Sequence, residues 1–198
     1  MSAPQLDFSK DYVLENSRAR LSALGIEHIS ALSTISGAAE IWTYFLEKGE
    51  AEEELNDYIQ AAIQKRVAAE EYPFVVFDKR TSRYAGITRL YAYDKKLGNI
   101  KMGHTWYGKE FWGTGLNKAC KLLLFQFCFE QLRVERIGFG VHGENKRSVR
   151  ALQKVGCLEE GRLRNFLDGV QEPGRTDLLL FSILREEWFK KVKAVSPT

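Results

Sequence analysis

The chain is short of the residues that staple or stiffen a fold. It has 3 cysteines and 4 prolines in 198 residues. Cys120, Cys128 and Cys157 are odd in number, and no two have the spacing of metal ligands. This argues against a disulfide framework and against a zinc cluster, so no metal is expected. Cys120 and Cys128 sit inside an apolar run and read as buried helix positions, inert thiols of a chain working in a reducing cytosol. Long hydrophobic runs are also missing. The longest, Leu122–Phe129, is broken by Gln126 and falls short of the roughly 18 apolar residues of a membrane span, so no membrane partner is expected. The N-terminal MSAPQLDFSKDYVLENS carries acidic residues and no apolar stretch, unlike a secretory signal. Neither sign of charge dominates: 29 basic and 26 acidic side chains interleave to a net +3, without the clustered basic face of a nucleic-acid binder. Nucleic acid is therefore not an expected partner, whereas a small positive excess suits an anionic small ligand.

What is present is 44% hydrophobic and 28% charged residues, without internal repeats, which fits one domain with a sizeable core. The expected division is a flexible N-terminus over 1–11, a single domain over 12–190 and a tail over 191–198. Apolar periodicity sets the elements. The second half of 12–24 alternates as a strand. Ile29, Leu32 and Ile35 place a helix over 26–35 in which His28 reads as a surface residue. Leu55, Tyr58, Ile59, Ala62, Ile63 and Val67 line one side of a long polar helix over 50–70. Strands at 73–78, 84–92 and 100–107, separated by polar turns, read as an antiparallel meander. A buried helix follows Gly115, a strand covers 136–142, a short helix over 144–155 ends at Gly156, and strands at 157–164 and 176–184 follow. The result is a mixed α/β (α+β) fold: a mostly antiparallel central sheet flanked by helices on both faces, with one parallel step across the buried helix.

The stretch Trp106–Lys121, WYGKEFWGTGLNKACK, carries the clearest chemical signal. A strand ends, a turn with Gly113 and Gly115 on either side of Thr114 follows, and a helix begins. The first turn of a helix leaves N–H groups without partners and is partly positive. Glycine removes the Cβ that would block close approach, so the backbone there can hold a phosphate. Lys109 and Lys118 could add charge. A tight turn with no ligand is the alternative. A second string, Gly138–Gly143 (GFGVHG), matches the dinucleotide fingerprint in letters. Its glycines alternate with Ile137, Phe139 and Val141 as one face of a strand, and only about 55 residues remain for the further β-α-β units such a fold needs. It reads as a strand whose small face packs closely.

Several segments taken in order carry a resemblance. Glu110–Leu116 (EFWGTGL) is similar to a (Gln/Arg)-x-x-G-x-(Gly/Ala) pyrophosphate loop. Asn145–Ser148 (NKRS) followed by Gln153–Cys157 (QKVGC) is similar to N-x-x-S…K-x-G-F. Glu159–Arg164 (EEGRLR), Arg175–Trp188 and the early ENSRARL fit the same pattern. Over 12–190 the chain resembles the GNAT N-acetyltransferase superfamily, in particular its RimJ/RimL-like branch.

The resemblance implies a GNAT fold and transfer of the acetyl group of acetyl-CoA, a co-substrate, to a primary amine by direct attack. The acceptor would be a protein N-terminus or a small molecule. The backbone amides of Trp112, Gly113, Thr114, Gly115, Leu116 and Asn117 would hold the pyrophosphate. The strand ending at Trp106 and Tyr107 would pair with the pantetheine arm and offer an N–H to the thioester oxygen. Asn145 would hydrogen-bond the pantetheine amides; its other reading is a plain helix N-cap. Ser148 is the implied proton donor to the departing thiolate, with a solvent-facing filler as the other reading. His104 has the intrinsic pKa of a base, against which stands core packing in parity with Ile100 and Met102; His142 and Glu144 are weaker candidates. Trp42, Tyr44 and Phe45 read as core or as an apolar substrate pocket. Dimers are common in the branch, so a homodimer is admitted. Three positions depart from the pattern: Glu110 stands at the Gln/Arg position, Leu152 where many members carry a tyrosine acid, and Cys157 where phenylalanine is usual. The missing tyrosine keeps open a non-catalytic acyl-CoA-binding module, and the GFGVHG string an NAD(P)-binding oxidoreductase.

Overall fold

The computed structural model describes residues 5–171 and 173–195. They form two compact units, one of Asp7–Tyr91 with Gly103–Leu123, the other of Ala92–Met102 with the described residues of 124–195 and 5–6.

In the first unit β1 (Val13–Glu15) turns directly into β2 (Ala19–Ala23), with Leu14 opposite Leu21. Sequence periodicity gives only one strand here, because the polar ENSR step interrupts the alternation. Asn16 makes the turn: its Oδ1 accepts from the N–H groups of Arg18 and Ala19, each at 2.8 Å, in place of a backbone acceptor. β2 pairs antiparallel with β3 (Glu71–Asp78), and β3 with β4 (Arg83–Asp94). Tyr72, Phe74, Val75 and Val76 are fully buried, as in a strand covered on both faces. β3 starts two residues ahead of the expected Pro73 because Glu71 is drawn inward by ion pairs to Lys65 at 3.0 Å and Arg89 at 2.9 Å.

A 3-10 turn, Ile26–His28, leads into α1 (Ile29–Ser36). α2 (Ala39–Trp42) is one turn that buries Ile41 and Trp42, too short for periodicity to reveal. α3 (Glu52–Val67) buries Leu55, Tyr58, Ile59 and Ala62. Two expectations change. Val67 is 77% exposed; at about 100° per residue it lies opposite Tyr58 on the helix. His28 is buried, not at the surface, because the 3-10 turn folds its ring edge-on to Tyr84 at 4.9 Å and brings Nδ1 to 3.0 Å from the Gly25 N–H. Arg66 ties the start of the chain to α3, donating to the Phe8 and Lys10 carbonyls at 2.8 and 3.0 Å.

The first residues of β5 (Asn99–Tyr107) belong to the second unit, where they pair in parallel with β6 (Arg136–His142), Ile100 opposite Ile137. This is the parallel step expected across the buried helix. That helix, α4 (Leu116–Gln126), widens into a π turn over Phe127–Gln131, closed by the Leu132 N–H on the Phe127 carbonyl at 3.0 Å. Phe125 and Phe129 both pack on Trp188, with ring centroids 6.1 and 6.3 Å away. GFGVH of the string lies along β6, which pairs antiparallel with β8 (Arg175–Leu184) from Arg136–Leu184 to His142–Leu178, so Gly138 and Gly140 belong to a strand, and Gly143 follows in a turn with its N–H bonded to the Asp177 carbonyl at 2.8 Å. α5 (Lys146–Lys154) connects β6 to β7 (Leu158–Asp168), whose pairing with β8 shifts register twice. α6 (Arg185–Val195) takes in most of the stretch expected as a tail. Residues 196–198, like 1–4 of the expected N-terminus, lie outside the described residues. The strands hydrogen-bond in the order β1-β2-β3-β4-β5-β6-β8-β7, the mixed, mostly antiparallel α/β sheet expected. Among the described residues no helix is long and apolar enough to cross a membrane.

Candidate functional site

The turn before α4 is open and rich in free donors. Gly113 and Gly115 take φ of +75° and +85°, which L side chains rarely adopt, and a Cβ at either would meet nothing within 4 Å. Thr114 Oγ1 donates to the Phe111 carbonyl at 2.8 Å and lies 3.4 Å from the Leu116 N–H, a weak cap. Among the described residues the amides of Gly113, Thr114, Gly115, Asn117 and Lys118 have no intrachain acceptor, while Ala119 begins the helical pattern on Gly115 O at 3.1 Å. The Trp112 N–H is committed to Lys109 O at 3.1 Å, so the free amides start at Gly113. Lys109 is committed as well, 2.5 Å from Glu40, whereas Lys118 is exposed at the head of α4. Glu110, the departure from the family pattern, is half-exposed and paired with Arg83 at 3.2 Å, which offsets its charge.

The strand that leads to this turn ends in Trp106 and Tyr107, both buried. The Trp112 indole donates to the Tyr107 carbonyl at 2.9 Å and fixes the turn on the strand. The Tyr107 hydroxyl meets the Cys120 thiol, and burial pushes the thiol up to about 12. Cys120, Cys128 and Cys157 are all buried and none is in a disulfide, in keeping with the core positions expected of Cys120 and Cys128.

His104 sits at φ +47° in the middle of β5. That step breaks the alternation, so parity with Ile100 and Met102 does not carry through; they are buried and His104 is half-buried, edge-on to Tyr91 at 5.2 Å. Burial lowers its pKa and the nearby Arg89 lowers it further, against the opposing pull of Glu71, so the imidazole is held neutral. Burial works to raise the Glu71 carboxyl, but hydrogen bonds from Arg89 and Lys65 outweigh it and hold the pKa below the usual carboxylate range. Sequence reasoning missed this Lys65–Glu71–Arg89 group. Its signal was a charged residue at an apolar position in each of two strands, EYPFVV and ITRLYA.

In the second unit Asn145 is the N-cap of α5: its Oδ1 accepts from the Ser148 N–H at 3.0 Å. The cap leaves Nδ2 as a donor. Ser148, half-buried on the first turn, has its own N–H used by that cap and its hydroxyl without an intrachain partner among the described residues. His142 and Glu144 hold the β7–β8 hairpin. His142 Nε2 lies 3.0 Å from the Asp168 carbonyl, and Glu144 Oε2 accepts from the Val170 and Gln171 N–H groups at 3.0 and 2.9 Å.

Residues 18–158 match the family model described as the acetyltransferase (GNAT) domain, and the chain belongs to the GNAT acetyltransferase family. The sequence is 32% identical over 104 residues to the Bacillus subtilis (strain 168) protein named "Putative ribosomal N-acetyltransferase YdaF", a match over 52% of this chain and 55% of that protein. The chain thus spans about half the length of this relative. The fold is similar to that of a GCN5-related N-acetyltransferase from Brucella melitensis, with a TM-score of 0.80, 24% identity and coverage of 94% and 83% of the two chains. It is similar also to the spermidine N-acetyltransferase from Vibrio cholerae in complex with CoA and spermine, with a TM-score of 0.72, 20% identity and coverage of 88% and 99%. At these identities the likeness is one of fold.

Proposed function

We propose that the chain is an N-acetyltransferase of the RimJ/RimL-like branch, moving the acetyl group of acetyl-CoA to a primary amine, with 12–190 acting as one catalytic domain. The observation that carries this is the open turn at Gly113–Gly115 with its row of unpartnered amides. It suits the diphosphate of CoA in charge and in room. The amides of Gly113, Thr114, Gly115, Leu116 and Asn117 hold that group, and Lys118 adds a positive charge beside it. The end of β5 at Trp106 and Tyr107 pairs with the pantetheine arm, and Asn145 Nδ2 donates to a pantetheine carbonyl. The acetyl thioester supplies the acyl group and its thiol is the leaving group.

The chain's own residues then manage protons. The acceptor amine must be neutral to attack the thioester carbon. As the new C–N bond forms and the C–S bond breaks, the amine sheds a proton and the thiolate gains one. His104, held neutral, is the base in this proposal, and an α-amine with a pKa of about 8 asks little of it. The Ser148 hydroxyl is the acid. Leu152, buried where a tyrosine is common, leaves that route closed. Buried free thiols fit a reducing cytoplasm. A homodimer, protein N-termini and small-molecule amines all stay within the proposal. The test is a panel of primary amines incubated with acetyl-CoA while free thiol release is followed. Acceptor-dependent thiol release supports the proposal. CoA binding without turnover on any amine leaves only an acyl-CoA-binding module.

A further inference from the structure

The first unit buries a guanidinium that the chemistry above does not use. Arg89 of β4 has no solvent exposure. Its Nη1 donates to Glu71 Oε2 at 2.9 Å, and Lys65 Nζ takes the other Glu71 oxygen at 3.0 Å. Its plane lies over the Tyr58 ring at 4.4 Å. Its Nε and Nη2 are buried with no hydrogen-bond partner among the described residues. These two N–H groups form the side edge of the guanidinium, the fork that takes both oxygens of a carboxylate. Buried donors without an acceptor are rare and call for one.

Other buried donors are linked to Arg89 through successive ring contacts, Arg89 on Tyr58, Tyr58 on Trp42 and Trp42 on Trp106. Trp106 Nε1 is buried and unpartnered, and its ring packs on Trp42 at 5.2 Å. Trp42 packs in turn on Tyr58 at 5.4 Å, whose hydroxyl is buried with no hydrogen-bond partner among the described residues. The group is therefore the free edge of a fixed cation, one indole N–H and one hydroxyl, linked through ring contacts, with Glu71 already spent on Arg89 and Lys65. A loop packs on Trp42. Residues 43–50 lie over Trp42: Lys48 Nζ donates to its carbonyl at 2.9 Å, and the Gly49 backbone is so close that a Cβ there would stand 2.5 Å from the indole. Leu46 on that loop is 96% exposed, so the loop has little apolar anchorage at its tip. His104 belongs to the same side of the sheet, since its ring packs on Tyr91, which stands opposite Glu71 in register.

We propose that the free edge of Arg89, with Trp106 Nε1, receives a carboxylate of the acceptor when the 43–50 loop lifts from Trp42, so that the acceptor is an amino acid or another amine bearing a carboxylate. The word acceptor rests on the acetyl-transfer reading; the carboxylate site does not. An α-amine is two bonds from its carboxylate and stays on the His104 side of the sheet.

The test titrates the full chain with N-acetylglycine and with N-acetylglycinamide, which differ in carboxylate against neutral amide. Intrinsic tryptophan fluorescence and thermal unfolding are the readouts. The acid binds saturably and at least about tenfold more tightly than the amide. Trp106→Phe keeps the ring but loses the N–H, and weakens the acid about three- to tenfold while leaving the amide unchanged. Arg89→Lys keeps the charge but removes the fork, and abolishes the preference; its melting curve without ligand shows whether it folds. Equal affinities, no binding of either probe, or an undiminished preference in Trp106→Phe overturns the proposal. If the acid binds and no amine is acetylated, the carboxylate site stands and the acetyl-transfer reading fails. If amino acids and their amides are acetylated equally well, the carboxylate site fails and acetyl transfer stands.

Discussion

Helices α4 and α5 both begin at segments that resemble cofactor-binding motifs, yet their first turns are built in opposite ways. At α5 a side chain closes the end: Asn145 Oδ1 takes the Ser148 N–H at 3.0 Å. At α4 two glycines at positive φ lead in, and Thr114 turns its proton to Phe111, leaving five amides without acceptors among the described residues. A capped end has spent its donors on its own stability. A weakly capped end keeps most of them, together with the positive end of the helix dipole, open to a ligand. Similar sequence signals thus divide into one turn that is closed by its own side chain and one left open, where we propose that the diphosphate binds.

The sharpest way to break this contrast is to close the open end. Gly115→Asp puts a β-carbon at φ +85° and a carboxylate against the diphosphate, and is expected to weaken CoA binding by about 100-fold or more in calorimetry with the fold retained. Affinity within a few-fold of the parent would mean that the turn does not carry the cofactor. Next, Ser148→Ala should lower kcat by about 10- to 100-fold with the KM for acetyl-CoA little changed. An unchanged kcat removes Ser148 from the proton path. His104 comes third. Its pKa is lowered, so the ring is neutral above its ordinary value of about 6.5 and the acid limb of kcat/KM falls below that pH; His104→Gln should remove the limb. The same shift makes stability fall as pH drops from that value through the folded pKa, because the folded state resists the proton. The smallest effect is at α5. Asn145→Ala should cost about 1 kcal/mol of stability in denaturant unfolding, while Asn145→Ser, which keeps a capping oxygen, should restore most of it. If Asn145→Ser also keeps full CoA affinity, Asn145 is a cap alone and Nδ2 makes no pantetheine contact.

Much of the fold was legible because its elements announce themselves by period. The 136–142 strand, the apolar helix after Gly115 and the meander from β3 to β5 all came from alternation or helical spacing. What escaped was set by tertiary context. α2 is one turn held by Trp42. β1 exists because Asn16 supplies a turn. β3 starts early because two cations draw Glu71 into the interior. At the site, glycines before an apolar helix are a local signal and were readable as such. Asn145 carried two readings that only geometry divides, since its capping oxygen and its free amide nitrogen belong to one side chain. The Arg89 group was legible only as charged residues at apolar strand positions: that signal does not say which partner each meets, and the register sets Glu71 opposite Tyr91, diagonal to Arg89.

The most direct measurement is an amide-resolved NMR titration of the 15N-labelled chain with CoA, run beside pantetheine, which lacks the diphosphate. The largest shifts are predicted at Gly113, Thr114, Gly115, Leu116 and Asn117 with CoA, and none at those amides with pantetheine. Binding of CoA that leaves these five amides unmoved would contradict the assignment of the open turn as the cofactor's anchor.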